Sequence, residues 1–373
     1  MPDPTEARKA LHELLDLLRE VDERYLSPEW LMQSPQDVAE GMYAVMHQLQ
    51  GGLQGWFESD PEHPVFRRIV APWRKFTGDN ADAIYYDAPV RGDRSYRVRG
   101  RRDGAVYLSI TVEAGSQDGK MGGRTDGVVN DTQLDFGPDG RFELFVGGAK
   151  RARNWIALPA DASRLTTRHY YEDETCAAAD PKKHPALEIE MIEPAAAPPP
   201  APNDATVAAG LRRVANFVRA RTLEMPPPGK RQQPAFVSTT PNQFPPPAQP
   251  AGLGLAALDA HYSMAPFVLG PEQALVITGR WPQCRCANVD LWSRHQQTFD
   301  YVNRQVTLNR KQTKLLPDGS FRMVIAHRNP GVPNWLDTEG RPFGMVFWRF
   351  FLVEGKVETP HAEVVPIERV RAS

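Results

Sequence analysis

Apolar residues recur at three- and four-residue steps in only a few stretches of this chain. Residues 5–26 place Leu11, Leu14, Leu15, Leu18, Val21 and Tyr25 on one helical face. Ser34-Pro35-Gln36-Asp37 supplies an N-cap with proline at the first helical position. It predicts a second helix faced by Val38, Met42, Val45, Met46, Leu49, Leu53 and Trp56, with Gly51-Gly52 as an early stop. A third helix is expected over residues 64–76. A fourth is expected from Asn203 or Asp204 to Met225, with Val207, Leu211, Val214, Phe217 and Val218 inward. These stripes all predict core packing.

From Ala83 the period changes to two. IYYDAPV, SYRVRGR, AVYLSITVEA, FELFVGG and LTTRHYYED are aromatic and β-branched runs separated by Gly, Asp and Pro, which predicts an antiparallel β layer. The same texture resumes from Leu275. Gly100, Asn130, Asp139-Gly140 and Phe142 recur 179 residues later as Gly279, Asn309, Asp318-Gly319 and Phe321. Asn154-Trp155 recurs as Asn334-Trp335 at an offset of 180, and Arg168 as Arg349 at 181. Spacing held that closely predicts an internal duplication. The expected fold is α+β and mainly β: an N-terminal helical bundle (1–80), a first antiparallel β-sandwich (81–192), a proline-rich linker with one helix (193–270), and a second β-sandwich (271–373).

Composition changes this picture in few places. The 35 prolines cluster in linkers around the fourth helix, although Phe236, Val237 and Phe244 also allow an arm laid over the other half. A net charge of -2 gives no case for nucleic acid or an anionic membrane surface. No run approaches the length of a membrane span and the charged N-terminus lacks an apolar signal core, so a soluble cytoplasmic protein is expected. Three cysteines do not make a disulfide framework. Cys284 and Cys286 could face one ion from a strand, but no further spaced ligands complete a set, so neither metal nor cofactor is expected. The glycine-rich stretch 115–127 has no helix pattern behind it and is expected to be a loop rather than a phosphate cradle. Edge strands and proline arms allow a homodimer, with the arm of one subunit over the other.

The stretch from Leu269 to Leu352, beginning LGPEQALVITGRWPQCRCANVDLW and ending GMVFWRFFL, resembles the bacterial family known as domain of unknown function 1214. WRKFTGDNADAIYYDAP, residues 73–89, is similar to long-form members that carry a related N-terminal half. Within it Asn80, Asp82 and Tyr85 echo the Asn-x-Asp-x-x-Tyr signature of a partner family, domain of unknown function 1254. The resemblance implies a mostly β, jelly-roll-like fold. It supplies no reaction.

Arg168 and Arg349 are the leading candidate site residues, each lying in a strand among large aromatics. An inward arginine needs an anion, either a ligand's or a protein carboxylate such as Asp131, Asp173 or Glu354. Asn154-Trp155 and Asn334-Trp335 read as fold-maintaining Asx-turns with a covering indole, or as a stacking platform. Asn309-Arg310-Lys311 is basic where the first copy has Asn130-Asp131-Thr132, so Asn309 and Arg310 are expected as anion contacts of the second copy. His295 and Asp300 could act as base and orienting carboxylate beside Arg310. Trp281, Trp292, Trp335, Tyr301 and His327 complete the candidate set. The resulting expectation is a ring-containing, partly anionic small molecule bound or processed in a cleft between the two β units. The alternatives are a catabolic hydrolase, lyase or isomerase, and a non-catalytic scaffold.

Overall fold

A computed structural model describes residues 5–120, 123–195, 197–250 and 255–372. Helices α1 (Glu6–Glu20), α2 (Pro35–Gly52) and α3 (Asp204–Arg221) form the bundle. Thr5 caps α1, while Ser34-Asp37 and Asn203-Thr206 form reciprocal capping boxes on α2 and α3. Leu14, Leu17, Val21, Val45, Val214 and Val218 pack between the helices. Only part of the expected α2 face is covered: Val38, Met42, Met46 and Leu53 are exposed. No helix among the described residues is long and apolar enough to cross a membrane.

The expected helix over 64–76 does not form. Pro64 and Pro72 interrupt any backbone hydrogen-bond ladder there, and the segment instead supplies the edge strand β1 (Arg67–Arg68) followed by turns.

The first β unit continues with β2 (Ala83–Pro89), β3 (Tyr96–Arg101), β4 (Tyr107–Ala114), β5 (Arg124–Asn130), β6 (Arg141–Val146), β7 (Trp155–Ile156), β8 (Ala162–Tyr170) and β9 (Leu187–Met191). The glycine-rich stretch thus yields to a strand at Arg124, and residues 121 and 122 lie outside the described residues. The second unit comprises β10 (Ala260–Val268), β11 (Gln273–Gly279), β12 (Cys286–Trp292), β13 (Thr307–Asn309), β14 (Phe321–Ala326), β15 (Trp335–Asp337), β16 (Phe343–Phe351) and β17 (His361–Pro366).

Sheet orders β2-β8-β4-β5 and β7-β6-β3-β9 in the first unit recur as β10-β16-β12-β13 and β15-β14-β11-β17 in the second, with β1 added at one edge. The duplication therefore extends to every strand pairing. It also starts earlier than residue 271, because β10 pairs with β16 along its whole length. Pro266 sits inside β10, where its missing N–H is tolerated because β10 is the edge strand.

Strand alternation sends the two faces of β8 and β16 to different places. Val346, Trp348 and Phe350 enter the second unit's own core, and Leu165 enters the first unit's. Tyr170, Phe347 and Phe351 face the other unit, joined there by Tyr107, Tyr262 and Trp292. The Tyr170 and Phe351 rings meet across this seam with centroids 4.2 Å apart. Both faces of these strands are buried, which explains their near-continuous apolar texture.

Candidate functional site

Arg168 and Arg349 stand on the seam faces of β8 and β16, each 3% exposed. In the sheets Arg168 lies between Tyr85 and Ser109, and Arg349 between Tyr262 and Asn288. The tyrosines are themselves equivalent, within Asp82-Ala-Ile-Tyr85 and Asp259-Ala-His-Tyr262 at an offset of 177. That short repeat was the sequence signal for β10.

Each arginine has a buried carboxylate from its own unit, and neither is one of the three named from sequence. Arg349 is in direct contact with Asp290, and its Nη2 also donates to the carbonyls of Gly78 (3.1 Å) and Asp79 (3.3 Å). Its guanidinium lies over the Phe347 and Trp292 rings, at 4.1 and 4.8 Å. Arg168 is held more loosely. Its Nη2 is 3.6 Å from Glu113, while Nη1 donates to Thr111 (2.5 Å) and Nη2 to the Leu255 carbonyl (3.0 Å). The Glu113 oxygens instead accept from Thr111 (2.9 Å), Thr125 (2.8 Å) and the Leu255 amide (3.3 Å).

A cavity of about 330 Å3 opens at this point of the seam. Arg168, Arg349, Tyr85, Tyr170, Tyr262 and Trp292 line it, with Thr166, Phe347 and Met264 beside them. Burial pushes the Tyr85, Tyr170 and Tyr262 phenols up against the opposing pull of the two arginines, so all three stay protonated. The Tyr85 and Tyr170 hydroxyls are 3.1 Å apart. Asp79 also borders the cavity, and burial raises its carboxyl.

The proline-rich segment covers the opening. Phe236 and Val237 line the cavity, and the segment runs along β10 with Met264 N donating to Phe236 O (2.7 Å) and Ser238 N to Met264 O (2.8 Å). The alternative of an arm laid over the other half thus describes the fold.

Of the remaining candidates, Trp292 alone joins the cavity. Trp281 packs on Phe321 and Trp348 within the second unit, with centroids 5.2 and 5.5 Å apart. The Trp335 indole donates to Ala326 O (3.1 Å), as Trp155 does to Gly147 O (2.9 Å). Tyr301 is buried under the Lys75 ammonium, and His327 contacts Thr338 (2.6 Å) and the Leu269 carbonyl (3.3 Å). Asn309 donates to Asp82 (3.2 Å) across the seam.

The trio His295, Asp300 and Arg310 is not assembled. His295 meets the Tyr25 hydroxyl through Nδ1 (3.2 Å), Asp300 accepts from the amides of Val302 (3.0 Å) and Asn303 (3.2 Å), and Arg310 forks onto Glu172 (2.6 Å to each oxygen). Asp300 borders a separate groove of about 650 Å3 between α2 and the second unit. That groove is larger, but Arg341 within it is already tied to Glu40 and Glu339, and none of the duplicated residues reaches it. Among the described residues no three His, Cys, Asp or Glu side chains are grouped to hold a metal ion, and all three cysteines are free.

Residues 81–174 match the family model described as a protein of unknown function, DUF1214. The match falls on the first β unit, whereas the stretch quoted for the resemblance lies in the second. The crystal structure of an uncharacterized protein from Burkholderia cenocepacia is similar over nearly the full chain. It has 26% identity and a TM-score of 0.82, with 96% of this chain and 97% of that chain covered. A crystal structure from Vibrio parahaemolyticus shares 11% identity over 86% of this chain and 100% of that chain, with a TM-score of 0.45. No curated protein matches.

Proposed function

We propose that this chain binds a ring-containing, partly anionic small molecule in the cavity between its two β units. The observation that carries the reading is the convergence of both duplicated arginines on one aromatic-lined cavity under a covering arm. Aromatic walls with a few fixed polar groups are the usual make-up of a ligand site at a junction of units.

A second reading is a non-catalytic scaffold in which the arginines tie each sheet together. The pairing of Arg349 with Asp290 and of Arg168 with Glu113 favours it. The catalytic alternative has less support, since His295, Asp300 and Arg310 each answer to a different partner.

Native mass spectrometry of freshly purified protein, followed by denaturing extraction, separates these readings. Binding predicts a defined small molecule in stoichiometric amount. Ala256→Phe, which fills the cavity and leaves both ion pairs intact, should lower retention by roughly ten-fold or more. Unaltered retention in that variant would place the bound molecule outside this cavity, and no retained molecule together with no uptake of added aromatic acids would favour the scaffold.

A further inference from the structure

The duplication has given the cavity two walls of opposite character. Thr166 on β8 is equivalent to Phe347 on β16, and Glu113 on β4 to Trp292 on β12. The second unit therefore offers aromatic faces to the cavity where the first offers the Thr166 hydroxyl, with the Glu113 carboxylate wholly buried beside Arg168 rather than in the cavity wall. The arginines differ in the same sense. Arg349 is neutralised by a direct contact with Asp290 and capped by two carbonyls. Arg168 stands 3.6 Å from a carboxylate whose oxygens are already taken by Thr111, Thr125 and the Leu255 amide. Attraction between buried charges weakens with separation, so Arg168 keeps more capacity for an external anion. Two residues away, on the same strand face, Thr166 is 2% exposed and its hydroxyl has no hydrogen-bond partner among the described residues.

Building on the proposed binding role, we infer that the cavity takes an aromatic carboxylate in one orientation. The carboxylate lies at Arg168 and Thr166, and the ring lies against Trp292 and Phe347. Arg168 is the anion contact; Arg349 is a structural cation that shapes the ring wall.

Calorimetric titration of the full chain with benzoate, benzamide and acetate tests this assignment. Benzoate should bind at least ten-fold more tightly than benzamide, and acetate should not bind measurably. Thr166→Val should weaken benzoate more than benzamide, because a hydrogen bond to a charged acceptor is the stronger one. Removing one arginine would strand a buried carboxylate, so paired neutral variants are the appropriate comparison. Arg168→Gln with Glu113→Gln should abolish the preference for acid over amide, and Arg349→Gln with Asp290→Gln should weaken both ring compounds together and keep their ratio. Equal binding of benzoate and benzamide by the parent chain overturns the assignment but leaves the cavity as a ring-binding site. Loss of the preference only in the Arg349 pair overturns the orientation. Failure of both ring compounds to bind overturns the inference and the proposed function together.

Discussion

His169 is wholly buried on β8. Burial pushes its imidazole down to about 4, and it does the same to His295, where the nearby Arg294 adds to the effect. The folded state thus holds both rings neutral at a pH where the unfolded chain binds protons. Stability from this source is complete above the ordinary histidine value and is lost as pH falls from about 6.5 towards 4. Each ring contributes up to ~3 kcal/mol over that window. Buried Asp79 and Asp82 act with the opposite sign, since their raised carboxyls favour folding at low pH. A comparison with His295→Gln isolates the histidine contribution. Urea unfolding at pH 5 and pH 7.5 should show a smaller loss on acidification in the variant than in the parent, and equal losses would remove this account. Residues of this kind divide by how far their context reaches. The aromatic strands around Arg168 and Arg349 marked both as candidates, but left open whether each side chain points inward or to the solvent face. Nothing local to Trp281 or Trp335 says that they cover their own sandwich while Trp292 reaches the seam, because that depends on which sheet face meets the other unit.

At the scale of elements, the paired glycines show why the two copies keep their strand geometry. Gly100 on β3 lies opposite Phe142 on β6, and Gly279 on β11 lies opposite Phe321 on β14. A Cβ on Gly100 would meet the Phe142 ring at 2.7 Å, and one on Gly279 would meet Phe321 at 2.9 Å. The rings lie over the glycines and leave no room for a methyl group. Gly100→Ala and Gly279→Ala should each cost about 1–3 kcal/mol by overpacking. Thermal unfolding should place both variants below the parent by similar amounts, and a neutral Gly279→Ala would contradict the packing argument. Asn154 and Asn334 are equally matched. Both have positive φ, at 49° and 57°, and both bridge a loop amide to a strand carbonyl, so the fold-maintaining reading of the Asn-Trp pairs describes their contacts. Capped helices and alternating strands were legible because their signals are local. The segment 64–76 misled because its apolar spacing suits a helix while its prolines do not. β10 was hidden because proline-rich sequence precedes it and Pro266 interrupts it.

The whole molecule depends on a reciprocal exchange that no local pattern reveals. Asp82, just before β2, accepts from Asn309 (3.2 Å) and Asn288 (3.1 Å) of the second unit. Asp259, just before β10, accepts from Asn130 of the first unit (2.8 Å) and from the Tyr107 hydroxyl. Asp82 and Asp259 are equivalent, as are Asn130 and Asn309, so each copy clasps the other through the same pair of residues. This gives Asn309, expected as an anion contact, and its counterpart Asn130 the same kind of partner: a carboxylate of the neighbouring unit. It also gives a role to the Asn80, Asp82 and Tyr85 echo. Asn80 exchanges amide hydrogen bonds with Asn288, Asp82 closes the clasp, and Tyr85 reaches the cavity. The duplication was legible from spacing, but the way its halves face each other was not, since every one of these contacts joins residues far apart in the chain. Removing Asn309 should leave a buried carboxyl short of a donor and cost about 1–3 kcal/mol. The reciprocal geometry makes a sharper demand. A double-mutant cycle of Asp82→Ala with Asn309→Ala should give a coupling of roughly 0.5–3 kcal/mol, as should Asp259→Ala with Asn130→Ala. Crossing the sets, Asn309→Ala with Asp259→Ala, should be additive within about 0.5 kcal/mol, because the two clasps share no partner. Additivity within each set as well as across them would mean that the units are held by the aromatic seam alone. The clasps would then be incidental to how this duplicated fold closes around its cavity.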